Sequence, residues 1–294
     1  MSKLYLKGCG TALVTPFRDG AVDYDAYAAC VERQVAAGVD FLVPLATTGE
    51  TPTLSADEKL RLLDLTREKS GGLPLLVGVG TNSLQGTLNN IRLLGPHGAD
   101  AYLVVVPYYN KPTQEGQYQY FKAVAEAADK PIVIYNVPGR TGANMTADTA
   151  VRLACDCPNI IGTKEASGNY AQVSEIIRRA PEGFSVLSGD DDMTFAFMAT
   201  GGQGVISVAS NVAPAEVSEM CSAMLEGDLL RARALHHRLM PLFKGCFVES
   251  NPIPVKAAMA KLGLMRSEVR LPLSEATEQT KNTISQILAE LWKK

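Results

Sequence analysis

The sequence predicts an α/β protein, a (β/α)8 TIM barrel with a small C-terminal all-helical domain. Two features predict this architecture. Short β-branched or apolar runs recur at fairly even intervals through the first 225 residues, and a segment with helical periodicity follows each run. Beyond residue 225 the strand pattern stops and only helical patterns continue. We therefore expect a barrel over residues 1–225 and a helical domain over residues 226–294.

Eight apolar runs account for the eight predicted strands. They are continuous rather than alternating, which is the pattern of parallel strands covered on both faces. The runs lie at residues 10–15, 40–45, 74–79, 101–106, 131–136, 159–164, 184–189 and 204–209. A doubly wound open sheet is the alternative, but it usually has fewer strands and a phosphate-binding glycine turn after the first one, where this chain has TPFRDG.

The helical segments between the strands carry their own signals. Residues 56–69 place leucines on one face and charges on the other, and Ser55 with Glu58 has the spacing of a capping box. In the tail, helical patterns lie at residues 228–243, 254–263 and 274–294. Because the sequence has no long linker, we expect the tail to pack on the barrel.

Composition excludes several classes of function. Among 294 residues, 46% are hydrophobic and 20% charged, which is typical of a globular protein with a substantial core. The formal charge of −3 gives no global attraction to nucleic acid or to an anionic membrane. Apolar runs fall far short of the ~20 residues of a membrane helix. Six scattered cysteines and the lack of a signal-peptide core predict reduced thiols and a cytoplasmic location.

A barrel places its active site at the carboxyl ends of its strands, so the polar residues that end each run are the candidates. Hydroxyls, phenols, one arginine and one lysine are expected to converge on this rim. The candidates are Thr47, Thr48, Tyr108, Tyr109, Tyr135, Arg140 and Lys164.

Lys164 is the most specific candidate. A lysine that closes an apolar strand is partly desolvated, and desolvation lowers the pKa of an ammonium group toward the range where the free amine is nucleophilic. Such an amine can form a Schiff base with a ketone. The ordinary alternative is a strand-end lysine that pairs with Glu165 or extends into solvent. Lys111, Lys130 and Lys256 are weaker candidates because they lie in loops or at the start of a helix.

The other candidates each have two interpretations. Tyrosines at strand ends can move protons, or they can simply pack with the hydroxyl at the surface. Thr47 and Thr48 precede a glycine and can present hydroxyl and N–H groups to a carboxylate, or they can satisfy their own turn. Arg140 suits bidentate carboxylate recognition, or it is a solvated surface arginine.

The sequence predicts neither a metal nor an organic cofactor. Asp190, Asp191 and Asp192 directly precede a helical segment, so we interpret them as capping residues rather than metal ligands. The three histidines lack metal-site spacing with nearby acids or cysteines. The segment GVGTNS, residues 78–83, ends in serine and follows the third strand, which does not match a dinucleotide-binding turn.

Ordered motifs along nearly the whole chain resemble those of the dihydrodipicolinate synthase family of pyruvate-dependent class I aldolases, which also holds N-acetylneuraminate lyase. The matching segments are GTALVTPF near the start, TTGETPTLS (47–55), VPYYNKPTQEG (106–116), YNVPGRTG (135–142), GTKEASG (162–168), SGDD (188–191), GGQGVISVASN (201–211) and NPIPVK (251–256).

The resemblance implies catalytic roles. Lys164 is expected to form the Schiff base with pyruvate, and Tyr135 to act as general acid and base beside it. Thr47 and Thr48 are expected to hold the pyruvate carboxylate, with Thr47 also linking Tyr135 to Tyr109 in a proton relay. The resemblance also implies that Tyr109 is lent by the neighbouring subunit of a tight dimer.

The resemblance also implies the substrates and the assembly. Arg140 is expected to bind the carboxylate of aspartate semialdehyde, while Gly189 and Ile206 line the pocket through backbone atoms. The implied reaction condenses pyruvate with L-aspartate 4-semialdehyde in lysine and diaminopimelate biosynthesis. It uses no metal or organic cofactor, and the implied assembly is a homotetramer built as a dimer of dimers.

Two other functions are alternatives. A pyruvate-dependent sugar-acid aldolase, such as N-acetylneuraminate or 2-keto-3-deoxy-gluconate lyase, would share the Schiff base, but those enzymes usually lack the arginine found here at Arg140. A barrel that binds a metabolite as a sensor would have lost catalytic groups, whereas this chain retains each expected one.

One region departs from the family pattern. Members inhibited by lysine carry acidic and histidine side chains around an effector cleft at the dimer interface. Asn82 and Tyr108 match that cleft, but Gly86 replaces the expected acid, and Ala56 and Lys59 stand where histidines are common. We therefore expect weak or absent feedback inhibition by lysine.

Overall fold

The computed structural model describes residues 4–293, and eight parallel strands close into a barrel as predicted. Residues 1–3 and 294, which the predicted domains include, lie outside the described residues. The strands are β1 (Gly8–Ala12), a short antiparallel hairpin of β2 (Phe17–Arg18) and β3 (Ala21–Val22), then β4 (Phe41–Val43), β5 (Leu76–Gly78), β6 (Ala101–Val105), β7 (Ile132–Asn136), β8 (Ile160–Glu165), β9 (Ser185–Ser188) and β10 (Gly204–Ser207).

The hairpin of β2 and β3 lies outside the barrel sheet. The remaining strands are ordered β4-β1-β10-β9-β8-β7-β6-β5. A parallel bridge between Leu42 and Leu75 joins the two ends of this sheet, and the Leu42 N–H donates to the carbonyl of Pro74 at 3.0 Å. The sheet is therefore continuous around the cylinder.

An α-helix follows each barrel strand, and the β2–β3 hairpin lies between β1 and the first helix. The helices are α1 (Tyr24–Ala36), α2 (Ala56–Lys69), α3 (Leu84–Leu94), α4 (Gln114–Ala127), α5 (Pro138–Thr141), α6 (Ala147–Asp156), α7 (Tyr170–Arg179), α8 (Thr194–Ala199), α9 (Pro214–Glu226), α10 (Leu229–Gly245), α11 (Ile253–Lys261) and α12 (Glu278–Leu291). The predicted capping box before α2 is confirmed, since Ser55 accepts from the Glu58 N–H and Glu58 accepts from the Ser55 N–H.

Side chains from alternate strand positions fill the barrel and form a cluster separate from the core under the helices. Along β7, Val133 and Tyr135 belong to the interior cluster, while Ile132 and Ile134 pack outward against the helices. This alternation decides which polar side chains near the strand ends face the barrel axis.

The C-terminal helical region predicted from the sequence is present. Helix α10 packs on α9 and on α12, and α11 also packs on α12. The last helix begins at Glu278, four residues later than predicted, because the side chain of Thr277 accepts from the Thr280 N–H and so caps it there. The domain boundary at residue 225 stays a prediction. Within residues 4–293, no helix has both the length and the apolar character needed to cross a bilayer.

Candidate active site

Lys164 lies inside the barrel near the end of β8. Its neighbours in register are Tyr135 on β7 and Leu187 on β9, and both belong to the interior cluster. The residue is only 4% exposed, and its Nζ lies 4.3 Å from the centre of the Tyr135 ring. Among the described residues no carboxylate lies within ion-pair distance of this amine.

The alternative in which Lys164 pairs with Glu165 is wrong. Glu165 faces the opposite side of the strand, where its carboxylate accepts from Asn136 Nδ2 at 3.1 Å and from the Ser167 N–H at 3.0 Å. Burial raises the pKa of Glu165, and these hydrogen bonds oppose the shift. The two side chains are therefore separated by the sheet itself.

Gly189 lies beside Lys164 and Ile206 lies in the barrel interior, while their expected role of lining the pocket through backbone atoms stays a prediction. A Cβ atom added at Gly189 would lie 3.1 Å from Lys164 Cε and 2.6 Å from Ala166 Cβ. Only glycine leaves this space open for the lysine side chain. Ile206 on β10 belongs to the same interior cluster as Tyr135 and is fully buried.

The two threonines form a tight turn after β4. Residues Thr47–Gly49 make one turn of 3-10 helix, and Glu50 ends it with a left-handed φ of 52°. Thr48 is buried, and its hydroxyl accepts from Asn251 Nδ2 at 3.0 Å. Thr47 lines the cavity at the mouth of the barrel together with Tyr135.

That cavity has a volume of about 420 Å³ and opens at the carboxyl ends of the strands. Four predicted residues line it: Thr47, Tyr108, Tyr135 and Arg140. Thr48, Tyr109, Lys164, Gly189 and Ile206 are not among its lining residues. Lys164 is next to the cavity through Tyr135, a lining residue on the adjacent strand whose ring it contacts.

Arg140 lies in α5, which begins at Pro138 directly after β7. Its side chain is exposed and lines the cavity, so Arg140 is a surface arginine in its exposure. One guanidinium nitrogen, Nη2, donates to the carbonyl of Asn251 at 3.2 Å. This contact orients the side chain and leaves other N–H groups available for a ligand carboxylate.

Tyr109 is not among the residues that line the cavity of its own chain. It is 87% exposed and has a φ of 72°, a conformation that costs a non-glycine residue roughly 1–3 kcal/mol. Its neighbour Tyr108 is 39% exposed and does line the cavity. A strained, almost fully exposed phenol beside the mouth of the barrel is the arrangement expected of a residue that serves a neighbouring subunit.

The interpretation of the three aspartates as helix caps is wrong. No side-chain cap precedes α8, and Asp191 instead crosses to the end of β10, where it accepts from Ser207 Oγ at 2.5 Å and from the Val208 N–H at 3.0 Å. The sequence does not reveal these donors, because they lie sixteen and seventeen residues downstream. Burial raises the pKa of Asp190 to about 6, against the opposing positive charge of Lys164.

Sequence reasoning also missed two contacts of the site. Asn251 links Thr48 to Arg140, as described above. Lys256, ranked as a weak nucleophile candidate, is fully buried and forms an ion pair with Glu50 at 2.6 Å. The acid directly after the Thr-Thr-Gly turn and the lysine of NPIPVK were the only sequence signals, and they lie more than two hundred residues apart.

The region predicted as an effector cleft continues from the same cavity. Lys59 and Thr81 line it, and burial lowers the pKa of Lys59. Asn82 accepts through its carbonyl from Asn110 Nδ2 at 2.8 Å. At Gly86 an added Cβ would lie 2.7 Å from Thr81 Oγ1, so an acidic side chain there requires the threonine to move.

Across residues 4–293, no three His, Cys, Asp or Glu side chains are grouped closely enough to hold a metal ion. The chemistry of the described site is that of a buried amine beside a phenol, with hydroxyls and a guanidinium at the cavity. A barrel with this site defines a class of enzymes, the lyases that form a Schiff base through a lysine at a strand end.

Comparison with known proteins agrees with this class. The profile of the Dihydrodipicolinate synthetase family matches residues 5–291, and the chain belongs to that family. The family resemblance predicted from the motifs is thereby confirmed, and the protein is an enzyme, a class I aldolase-type lyase.

Individual relatives match over nearly their full length. A 4-hydroxy-tetrahydrodipicolinate synthase of Thermotoga neapolitana is 47% identical over 97% of this chain and 98% of its own. The crystal structure of dihydrodipicolinate synthase from Thermotoga maritima superposes with a TM-score of 0.96 at 46% identity, covering 98% of this chain and 99% of that one. The dihydrodipicolinate synthase of Cyanidioschyzon merolae, solved with lysine bound, has a TM-score of 0.94 at 39% identity, and the match covers 98% of this chain and 99% of that one.

Proposed function

We propose that the protein condenses pyruvate with L-aspartate 4-semialdehyde, the 4-hydroxy-tetrahydrodipicolinate synthase reaction of lysine and diaminopimelate biosynthesis. One observation supports this most directly: the Lys164 amine is buried in the barrel against Tyr135, with no carboxylate of residues 4–293 paired to it. A buried amine without a carboxylate partner, inside the barrel and beside a phenol, is placed to attack a carbonyl carbon. The names of the related enzymes support the choice of substrates.

The first half of the reaction activates pyruvate. Lys164 Nζ attacks C2, and loss of water leaves an iminium that withdraws electrons from the adjacent methyl carbon. Thr47 and Thr48 hold the pyruvate carboxylate. Tyr135 takes a methyl proton, which converts the iminium to an enamine, and Thr47 passes protons between Tyr135 and the Tyr109 of a neighbouring subunit.

The second half forms the carbon–carbon bond. The enamine carbon attacks the aldehyde carbon of aspartate semialdehyde, the aldehyde oxygen receives a proton from Tyr135, and the iminium is restored. The amino group of the second substrate then adds to C2 and displaces Lys164, so that the ring closes and the enzyme is regenerated. Arg140 binds the carboxylate of the second substrate, and Gly189 and Ile206 shape the pocket through their backbone atoms.

The test is a product assay with purified protein. We expect turnover of pyruvate with aspartate semialdehyde, and no release of pyruvate from N-acetylneuraminate or 2-keto-3-deoxy-gluconate. The expectation follows from Arg140, because its guanidinium matches a carboxylate better than a polyhydroxylated chain. Efficient cleavage of either sugar acid without condensation activity would contradict the proposal.

The proposal extends to assembly, cofactors and location. A homotetramer built as a dimer of dimers places Tyr109 in the neighbouring site, and the exposure of Tyr109 supports it. The reaction needs no metal or organic cofactor, because the lysine itself supplies the electron sink. All six cysteines are free thiols, which supports a cytoplasmic location.

The proposal includes weak or absent inhibition by lysine. A lysine ammonium in the effector cleft needs a negative counter-charge, and Gly86 supplies none. Lys59 adds a positive charge to the same cavity. Strong inhibition by millimolar or lower lysine in the condensation assay would contradict this part of the proposal.

A further inference from the structure

Lys256 and Glu50 form a buried ion pair that the chemistry above does not use. Lys256 is 0% exposed, Glu50 is 3% exposed, and Lys256 Nζ lies 2.6 Å from Glu50 Oε1. Burial lowers the pKa of Lys256, and the Glu50 charge opposes that shift. Buried ion pairs are often replaceable by neutral side chains at little cost in stability, so stability alone is a weak reason for this one.

The pair anchors the end of the threonine turn. Glu50 occupies a left-handed conformation that a non-glycine residue rarely adopts, and its N–H donates to the Thr47 carbonyl at 3.1 Å. Its carboxylate is held from two directions, by Lys256 Nζ on one oxygen and by the Arg270 N–H at 3.0 Å on the other. Lys256 in turn donates to the Thr15 carbonyl at 2.9 Å, which ties the pair to the chain after β1.

A second contact holds the middle of the same turn. Asn251, five residues before Lys256, donates through Nδ2 to the Thr48 hydroxyl at 3.0 Å. The C-terminal region therefore reaches the four residues 47–50 at two points. Both contacts come from the NPIPVK segment, residues 251–256.

We infer that Glu50 and Lys256 are positioning residues: their ion pair lets the C-terminal helical region hold the Thr47–Thr48 turn in the geometry that receives the pyruvate carboxylate. The inference rests on the proposed function. Glu50 is among the residues that line the cavity, but the hydrogen bonds of the pair go to the Thr15 carbonyl, to the Arg270 N–H and to each other, and none goes to Lys164 or Tyr135. Both residues therefore act through the threonines. Loss of the pair weakens pyruvate binding before it affects the chemical steps, because Lys164, Tyr135 and Arg140 lie on other elements.

The test compares three variants: Lys256→Met, Glu50→Gln and the two combined. Each single variant leaves one charge buried without its partner and is expected to lower the melting temperature. The double variant removes both charges, so its melting temperature is expected to recover toward that of the parent. The double variant still lacks the ion pair that anchors the threonine turn. A change in pyruvate binding in this variant therefore reports lost positioning and not lost folding.

The readouts are the pyruvate concentration that gives half-maximal borohydride trapping, and KM and kcat in the condensation assay. For the double variant we expect KM and the half-trapping concentration to rise roughly tenfold, the order of effect of one weakened hydrogen bond to a charged group. The kcat at saturating pyruvate is expected to stay within about threefold of the parent, since the chemical groups are intact.

The matched control is Tyr102→Phe. This change removes a buried hydroxyl that donates to Asp129 at 2.8 Å near the amino ends of β6 and β7, at the opposite end of the barrel. It is expected to lower the melting temperature without changing the KM for pyruvate.

A double variant that is folded and binds pyruvate like the parent overturns the inference, and so does an equal rise in KM for Tyr102→Phe. If a single variant does not fold, the double variant decides between these outcomes. Failure of the parent itself to trap pyruvate would instead reject the proposed function, so the two failures are distinguishable.

Discussion

At the scale of single residues, the direction of Lys164 decides the chemistry, and the sequence could only suggest it. Strict alternation from Ile161, which lies in the barrel interior, would send Lys164 outward. The pairing of β7 with β8 instead shifts register, so that Val133 pairs with Gly162 and Tyr135 with Lys164. This irregularity directs the Lys164 amine into the barrel. No feature of the segment NIIGTK predicts the irregularity.

The raised pKa of Asp190 predicts how the stability of the protein depends on pH. Burial raises its pKa from 3.8 to about 6, so the native protein retains a proton that the unfolded chain loses near pH 4. Its contribution to the free energy of unfolding therefore falls as pH rises from about 4 to about 6. Asp190→Asn removes this titration, so the melting temperature of the variant is expected to rise relative to that of the parent as pH increases from about 4 to about 6.

Thermal unfolding of both proteins from pH 3.5 to 7.5 measures this difference. Because the two chains share every other titrating group, their difference reports Asp190 and its neighbours alone. A difference that stays constant between pH 4 and pH 6 would contradict the assigned shift.

At the scale of elements, local signals were sufficient for helices and for the existence of strands. The apolar runs, the leucine face of α2 and its capping box could be read directly because they depend on neighbouring residues. Contacts between distant elements could not be predicted, as the partners of Asp191 at the end of β10 and of Lys256 beside the threonine turn demonstrate. Such contacts depend on how the barrel closes, and local patterns carry no information about it.

The N-terminal cap of α2 is expected to affect stability but not catalysis. Ser55→Ala removes the side-chain acceptor of the capping box and is expected to lower the free energy of unfolding by about 1 kcal/mol. Chemical denaturation measures this loss, while kcat is expected to remain that of the parent. A gain in stability, or a loss of kcat in the folded variant, would show that the start of α2 does more than begin a helix.

At the scale of the whole molecule, the proposed function requires a phenol from one chain to complete the site of another. The family resemblance predicted that Tyr109 serves the neighbouring subunit, and its exposure in the isolated chain agrees with that role. A single sequence does not show how subunits are arranged. The proposed arrangement therefore rests on the family resemblance and on the strained, exposed side chain of Tyr109.

Subunit mixing tests the shared site. Lys164→Ala and Tyr109→Phe are each expected to be nearly inactive, but their mixed dimer contains one site with an intact lysine and an intact partner tyrosine. Unfolding and refolding an equal mixture is expected to recover activity to about a quarter of the parent value, since half of the dimers are mixed and each has one complete site. No recovery in mixtures that form dimers would place Tyr109 in the site of its own chain.

The proposed reaction depends on one buried amine, Lys164, which carries pyruvate through it. Its most direct test is reduction with borohydride in the presence of pyruvate, followed by mass spectrometry of the intact chain and of its peptides. We expect one reduced pyruvate per chain, located on Lys164, and none in Lys164→Ala. An unmodified chain, or an adduct located on Lys256 or another lysine, would contradict it.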